Sequence, residues 1–148
     1  MKKTRTQKLD DCHAAYIAAK TGKRPKQRTK DGSIPTHPIV PVPDIPEAAV
    51  LAECHRWLLQ HRIFHDRHDC GAGDVSGAGY ATYGIKGAGD IIGILPGGRH
   101  FEIECKRGAG GRLSALQQKR MADVRDAGGV YLVVHGVDEL AVLMGEEK

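Results

Sequence analysis

The sequence predicts an α/β domain preceded by a basic N-terminal extension. Three features favour this class: helical periodicity from residue 46, two apolar strands around a tight turn at 90–106, and a β-branched strand at 130–135 between helical stretches. A chain of 148 residues holds one such domain and leaves little room for a second. We therefore divide it into a basic arm with a proline-rich connector, residues 1–45, and a compact domain, residues 46–148.

Charge is distributed unevenly between these two parts. Residues 1–31 hold ten Lys or Arg against three Asp, a net charge of +7, whereas residues 32–148 hold twelve against fifteen Asp or Glu, a net charge of −3. A basic arm suits a polyanionic partner, because Lys and Arg release counterions from phosphates. A solvated tail that only aids solubility is the alternative. A short helix over Cys12–Lys20 is compatible with the stretch CHAAYIAAK.

Several classes of protein are excluded or disfavoured. No window approaches eighteen consecutive apolar residues, and no apolar segment follows MKKTRTQKLDD, so we expect a cytoplasmic protein with no membrane span. The cysteines form no CxxC pair, and the run of His61, His65, His68 and Cys70 matches no zinc-finger spacing, so we expect these histidines at the surface or beside the core. The glycine loop at 107–113 lacks the GK[ST] ending of a phosphate-binding P-loop, so no nucleotide cofactor is indicated.

The positions of proline and glycine predict the connector, the first helix and the long loop. Five of the seven prolines lie in residues 35–46, which predicts an extended connector and a compact domain that starts near Ile45. A helix begins at Pro46 and carries Glu47 on its inward face. Residues 63–70 indicate a short strand, and residues 71–89, with seven glycines, a long loop.

The later elements are a capped helix, a strand and a closing helix. Ser114 and Gln117 have the spacing of a capping box at the start of a helix that ends at Gly128. VYLVVH at 130–135 is typical of a buried parallel strand, and VDELAVLMG predicts a short amphipathic helix after it.

The hairpin at residues 90–106 places two carboxylates together. The PGG turn sets Ile94 opposite His100 and, further along the ladder, Asp90 opposite Glu104, while alternation puts Glu104 and Lys106 on one face. Opposed carboxylates repel, and a divalent cation removes that repulsion.

These residue types fit phosphodiester hydrolysis. With the backbone carbonyl of Cys105, Asp90 and Glu104 supply enough oxygen ligands for Mg²⁺, and Lys106 would orient water or stabilise developing negative charge. The alternative is an exposed strand face with a chance Glu–Lys pair.

The sequence resembles the PD-(D/E)XK nuclease superfamily and, within it, the VRR-NUC (virus-type replication–repair nuclease) family. The resemblance covers residues 46–140. The matching motifs, in chain order, are Glu47 at the start of a helix, Trp57-Leu58 with Arg67, KGAGDIIGIL at 86–95, EIECK at 102–106, LSALQ at 113–117, and Gly128-Gly129 before VYLVV. The motif GAGD occurs at 71–74 and again at 87–90; we choose the second, because Asp90 opens an apolar strand.

The resemblance implies a restriction-endonuclease-like core, a small mixed sheet flanked by helices, and a metal-dependent DNA endonuclease using Mg²⁺ or Mn²⁺. Asp90, Glu104 and Glu47 would be metal ligands, Lys106 the catalytic lysine, and Gln117 would complete the site. Stand-alone members from phages and bacteria resemble Holliday-junction resolvases and act as homodimers, which implies a homodimer acting on branched DNA. The basic arm and the connector lie outside the family pattern.

Four residues are candidates for contacts with DNA. Tyr80 and Tyr83 lie in a glycine-rich setting suited to stacking on a base, with ordinary packing as the alternative. Lys86 and Arg112 are candidates for phosphate contacts, with solvated charges as the alternative. The competing hypotheses for function are a DNA-binding module that does not cleave and a restriction-type or RNA-directed nuclease.

Overall fold

The structure, a computed structural model, describes residues 16, 20, 22, 31–74 and 79–146. Apart from three single positions, the basic arm and the helix predicted over Cys12–Lys20 lie outside these residues. The helices are α1 (Glu47–Gln60), α2 (Ala115–Asp126) and α3 (Val137–Glu146). The strands are β1 (Ile34–Pro35), β2 (Phe64–Arg67), β3 (Gly71–Asp74), β4 (Tyr80–Tyr83), β5 (Ile91–Ile94), β6 (His100–Cys105), β7 (Arg112–Leu113) and β8 (Val130–Val134).

A four-stranded mixed sheet with the order β2-β5-β6-β8 forms the centre of the domain. Neighbouring strands are antiparallel, except that β6 and β8 run parallel. The predicted hairpin register is confirmed, because Ile94 pairs with His100 and the amide of Leu95 donates to the carbonyl of Arg99. The predicted α/β class and the parallel strand at 130–135 are also confirmed.

Helices cover both faces of this sheet, and β6 sends alternate side chains to each. Phe101, Ile103 and Cys105 enter a core cluster with buried side chains of α1 and α3. Met121 and Val124 of α2 pack on the other face with Tyr131 of β8. Glu102 and Glu104 therefore lie under α2, on the face opposite the main core.

The proline-rich connector packs against the domain along residues 33–45, which we name the strap. Its strand β1 pairs with β7, and Thr36 is 1% exposed. A Cβ atom at Gly108 would lie 1.9 Å from the carbonyl oxygen of Pro43, so the loop after β6 needs glycine to let the strap approach. Strand pairing and burial thus extend back to Ser33, twelve residues before Ile45, where the sequence predicted the compact domain to start.

A buried chain of hydrogen bonds holds the strap. The hydroxyl of Thr36 accepts from the amide of Gly111 at 3.2 Å and lies 3.0 Å from Nε2 of His135. Nδ1 of His135 lies 2.9 Å from the carboxylate of Glu139, which also accepts from the amide of Ile39. Each buried polar group in this chain has a partner, as burial requires.

The glycine-rich stretch 71–89 contains the two-stranded hairpin of β3 and β4, where the sequence predicted a loop. Backbone pairing between these strands needs no apolar alternation, so periodicity gave no signal. The ring of Tyr83 lies over Gly71, and a Cβ there would lie 2.6 Å from the tyrosine hydroxyl, so a larger residue would move this exposed ring. No helix in the described parts of the chain is long and apolar enough to cross a membrane.

Candidate active site

Asp90 is fixed where β5 enters the sheet beside β6. The pair Ile91–Ile103 is the last of the antiparallel ladder, and one step further sets Asp90 opposite Glu104, as the turn predicted. The carboxylate of Asp90 accepts from the amide of Cys105 at 2.8 Å. Gly89 allows this approach, because a Cβ there would lie 2.7 Å from the carbonyl oxygen of Ile103.

Glu104 and Lys106 lie together at the end of β6, and both are buried. The ammonium of Lys106 lies 2.9 Å from Oε1 of Glu104. Burial, followed by the neighbouring charge of Asp90, raises the pKa of Glu104 to about 7 despite Lys106. Burial also raises the pKa of Asp90 above its ordinary value, although the Cys105 amide and Lys106 oppose it. This pair of carboxylates is thus short of compensating positive charge.

Gln117 joins the helix cap to the carboxylate group. It forms the predicted capping box with Ser114, and its Oε1 accepts from the Ser114 amide at 2.9 Å. Its Nε2 donates to Oε1 of Glu104 at 2.7 Å, while its Oε1 lies 3.4 Å from the Lys106 ammonium. The cap therefore fixes the side chain that orients both Glu104 and Lys106.

Glu47, the first residue of α1, brings a third carboxylate to the group. Ligand oxygens of Glu47, Asp90 and Glu104 all lie within 4.8 Å of one another. Glu47 is exposed, Asp90 half-buried and Glu104 buried, so the group opens to solvent on the α1 side. Three carboxylate oxygens at such distances fit the oxygen-only preference of Mg²⁺ or Mn²⁺.

Glu102, two residues before Glu104 on the same face, has a different environment. It is fully buried and accepts hydrogen bonds from Arg120, from the amide of Gly89 and from His100. Burial raises the pKa of Glu102, but these three donors outweigh it and hold the pKa below its ordinary value. The sequence interpretation left Glu102 out of the ligand set, and the structure gives that carboxylate other partners.

Arg120 and Tyr131 support the site, and the sequence interpretation missed both. Arg120 lies one turn after Gln117 on α2, and this i, i+3 spacing was the available signal. The hydroxyl of Tyr131 donates to the carbonyl of Gly87 at 3.1 Å, which ties the loop before Asp90 to β8. Burial, followed by the charge of Glu104, raises the pKa of Tyr131, so this hydroxyl keeps its proton.

The three carboxylates of Glu47, Asp90 and Glu104 line a cavity of about 590 Å³ together with Lys106, and we name this cavity the cleft. Lys86 and the exposed Tyr83 line it, as does Gln117. The sequence interpretation did not select other residues that line it; among them are His68, Asp69, Cys70 and Leu116.

Of the predicted DNA-contact residues, Arg112 is placed away from the cleft, and the side chain of Tyr80 is not described. Arg112 does not line the cleft; its guanidinium donates to the hydroxyl and the carbonyl of Ser33 and so holds the strap. The prediction of a phosphate contact is thereby weakened for Arg112. Tyr80 opens β4, and its side chain lies outside the described part of the structure. The backbone amide of Cys105 donates to Asp90, and the ligand role of its carbonyl stays a prediction.

Comparisons with protein-family models, with curated proteins and with solved structures give no match.

Proposed function

We propose that the protein is a metal-dependent endonuclease that hydrolyses phosphodiester bonds of DNA in the cleft. One observation carries the proposal: three carboxylates converge within 4.8 Å, and Lys106 and Gln117 contact the most buried of them. The order of these residues along the chain also resembles that of the PD-(D/E)XK nucleases. This resemblance is a second reason to propose a nuclease fold and phosphodiester hydrolysis.

Glu47, Asp90 and Glu104 would hold a divalent cation, with the Cys105 carbonyl as a further candidate. The raised pKa of Glu104 supports this assignment, because a cation supplies the positive charge that the carboxylates lack within the chain. Once bound, Mg²⁺ or Mn²⁺ neutralises phosphoryl charge and activates water for attack. The ligand atoms are oxygens, which suits these hard cations better than softer ones.

The protein's own side chains position the reaction. Lys106 is held by Glu104 and Gln117, so its ammonium has little freedom and is aimed at the carboxylate group. From there it would donate to the attacking water or to the phosphoryl oxygens that gain charge in the transition state. Gln117 cannot exchange protons; it fixes the orientation of Glu104 and carries no acid–base role.

The substrate and assembly follow from the resemblance. We propose branched DNA, a four-way junction or a flap, and a homodimeric protein in the cytoplasm of a bacterial cell. The exposed ring of Tyr83 and the ammonium of Lys86 at the cleft support a polymeric substrate, because they offer a stacking surface and a phosphate contact. A monomer in sedimentation at micromolar concentration would contradict the homodimer.

Cleavage of linear, flapped and four-way-junction DNA tests the proposal. We expect products with Mg²⁺ or Mn²⁺ and none with EDTA. Lys106→Ala should lower the rate about 100-fold or more, the scale of losing one positioned donor. Lys119→Ala is the matched control, because it removes one exposed lysine from the far side of α2.

Three results would redirect the proposal. Tight binding with no product under either metal would indicate a recognition module. Cleavage of RNA, or cuts at one DNA sequence, would indicate one of the related nuclease classes. Equal rates for the parent and Lys106→Ala would contradict the site itself.

A further inference from the structure

A second cavity, of about 430 Å³, lies beside the cleft between α1 and β2, and we name it the basic groove. Its polar lining residues are His55, Arg56 and Arg67, and the rest of its lining is apolar. No Asp or Glu of the described chain lines it. The neighbouring cleft, in contrast, is lined by four carboxylates.

The basic groove lies near the carboxylates of the cleft, because the charge of its Arg67 acts on Asp90 and Arg67 pairs in the sheet with Ile91, the residue after Asp90. Ala48 lines the groove and follows Glu47, which lines the cleft. Arg67 lines the groove and precedes His68, which lines the cleft. A polymer that extends from the carboxylate group along α1 would therefore come within reach of the cations of the groove.

The cations of the groove are available to a ligand. Arg56 is exposed and makes no ion pair or hydrogen bond with any described residue. Arg67 lies 3.7 Å from Asp69, but both side chains are more than half exposed, so solvent screens that pair. His55 is fixed in the wall, because its Nδ1 lies 2.8 Å from Nε2 of His65.

We propose that the basic groove binds the sugar–phosphate backbone of the substrate strand on one side of the scissile bond. This inference rests on the proposed function. The carboxylates of the cleft oppose the approach of nucleic acid, so cations next to the cleft add to the affinity that Lys86 and a bound metal ion supply within it. The lining runs along α1 from Ala48 to Leu59, which at 1.5 Å per residue is about 17 Å, or about five nucleotides at 3.4 Å each.

Binding to labelled DNA of about 30 nucleotides, single-stranded and duplex, over a salt series tests the proposal. Fluorescence anisotropy in Mg²⁺ would compare Arg56→Ala, Arg56→Glu and Arg67→Ala, each in the non-cleaving Lys106→Ala protein. Arg56→Ala should weaken binding about fivefold and lower the salt slope by about 0.7 to 0.9, the value of one phosphate contact. Arg56→Glu should weaken it further, and the control Lys119→Ala should match its parent.

Hydrolysis in proteins that retain Lys106 gives a second measurement. Arg56→Glu should lower kcat/KM on the long DNA in parallel with binding. It should leave hydrolysis of bis(p-nitrophenyl) phosphate unchanged, because that substrate is too small to reach the groove. Loss on both substrates would overturn the proposal, since it would mean that Arg56 acts on the site and not on the DNA backbone.

The two proposals fail in different ways. Metal-dependent cleavage with unchanged binding and salt slope in the Arg56 variants overturns the groove and leaves the nuclease. Binding that is lost in the Arg56 variants, without hydrolysis of either substrate by the parent, supports the groove and contradicts the nuclease. Equal loss in Lys119→Ala overturns the groove, because any exposed cation would then serve.

Discussion

Glu102 and Glu104 lie two residues apart on the same face of β6, and we predict that the same substitution has opposite effects on them. Glu104→Gln should stabilise the metal-free protein above neutral pH. Glu102→Gln should destabilise it. Both side chains are buried, but they differ in the donors and cations that compensate their charges.

The size of the effect at Glu104 follows from its pKa. Burial, followed by the charge of Asp90, raises that pKa from 4.5 to about 7, and 1.36 kcal/mol per pKa unit gives about 3 kcal/mol. The folded-state pKa is the higher one, so the protonated carboxyl of Glu104 favours the folded protein. This contribution to stability is fully present below pH 4.5 and is lost as pH rises through 7. Glutamine does not titrate and keeps the same shape.

This amount is already net of the attraction between Glu104 and Lys106, because that attraction lowers the pKa of Glu104. In EDTA at about pH 8 we expect the variant to exceed the parent by about 1 to 3 kcal/mol in free energy of unfolding, and near pH 4.5 to match it. With saturating Mg²⁺ the order should reverse, because the parent gains binding energy that the variant lacks.

The charge of Glu102 has the opposite effect on the free energy of unfolding. Its charge is compensated by Arg120, Gly89 and His100, which hold its pKa below the ordinary value even though burial raises it. The stability from this charge is present above the unfolded-state pKa and is lost as pH falls through the lower folded-state pKa. Glu102→Gln removes the buried partner of Arg120 and should cost about 2 to 4 kcal/mol near pH 7, less at acidic pH.

Urea unfolding in EDTA between about pH 4.5 and 8 measures both variants against the parent. The reasoning is refuted if Glu104→Gln is the less stable protein at the upper end of this range. That result would mean that the ion pair between Glu104 and Lys106 outweighs burial, and that the carboxylate group needs no cation.

Three further predictions concern how the site and the strap are held. Gly89→Ala should cost about 1 to 3 kcal/mol and abolish metal-dependent cleavage, because its Cβ would push β5 from β6. The control in thermal unfolding is Gly145→Ala, which meets no atom within 4 Å and lies in α3, so it should not destabilise the protein. Thr36→Val should cost about 1 to 3 kcal/mol, because it orphans the Gly111 amide and His135, whereas Thr36→Ser should retain most of the stability in the same urea assay. Gln117→Ala should lose about 1 kcal/mol of cap energy and slow cleavage more than that loss explains; unchanged cleavage rates would restrict Gln117 to capping.

The sequence predicted those parts of the fold that depend on local rules. A tight turn fixes strand register, so Ile94 could be placed opposite His100 and Asp90 beside Glu104. The spacing of Ser114 and Gln117 predicted the capping box for the same reason. These rules involve residues close in the chain, and tertiary packing did not override them.

Other parts depend on packing between distant segments and have no local signature. The strap is held by Thr36, a buried residue whose partner His135 lies 99 residues later in the chain. The proline content of the strap gave no sign of that contact. Arg112 has the sequence setting of a phosphate ligand, but the approach of Ser33 directs its guanidinium to the strap. The i, i+3 spacing puts Arg120 on the same side of α2 as Gln117, but its contact with Glu102 depends on how α2 packs over β6.

The helix α2 assigns different roles to the two glutamates of β6, and this division supports the proposed chemistry. One turn of the helix brings Arg120 to Glu102 and completes the charge balance there within the chain. The preceding turn brings Gln117, which is neutral, to Glu104. Among the described residues, Lys106 is then the one cation in contact with the carboxylate group of Glu47, Asp90 and Glu104. A protein selected for stability alone would place a second arginine at that turn; a neutral amide orients the carboxylates and leaves their charge for a cation to balance.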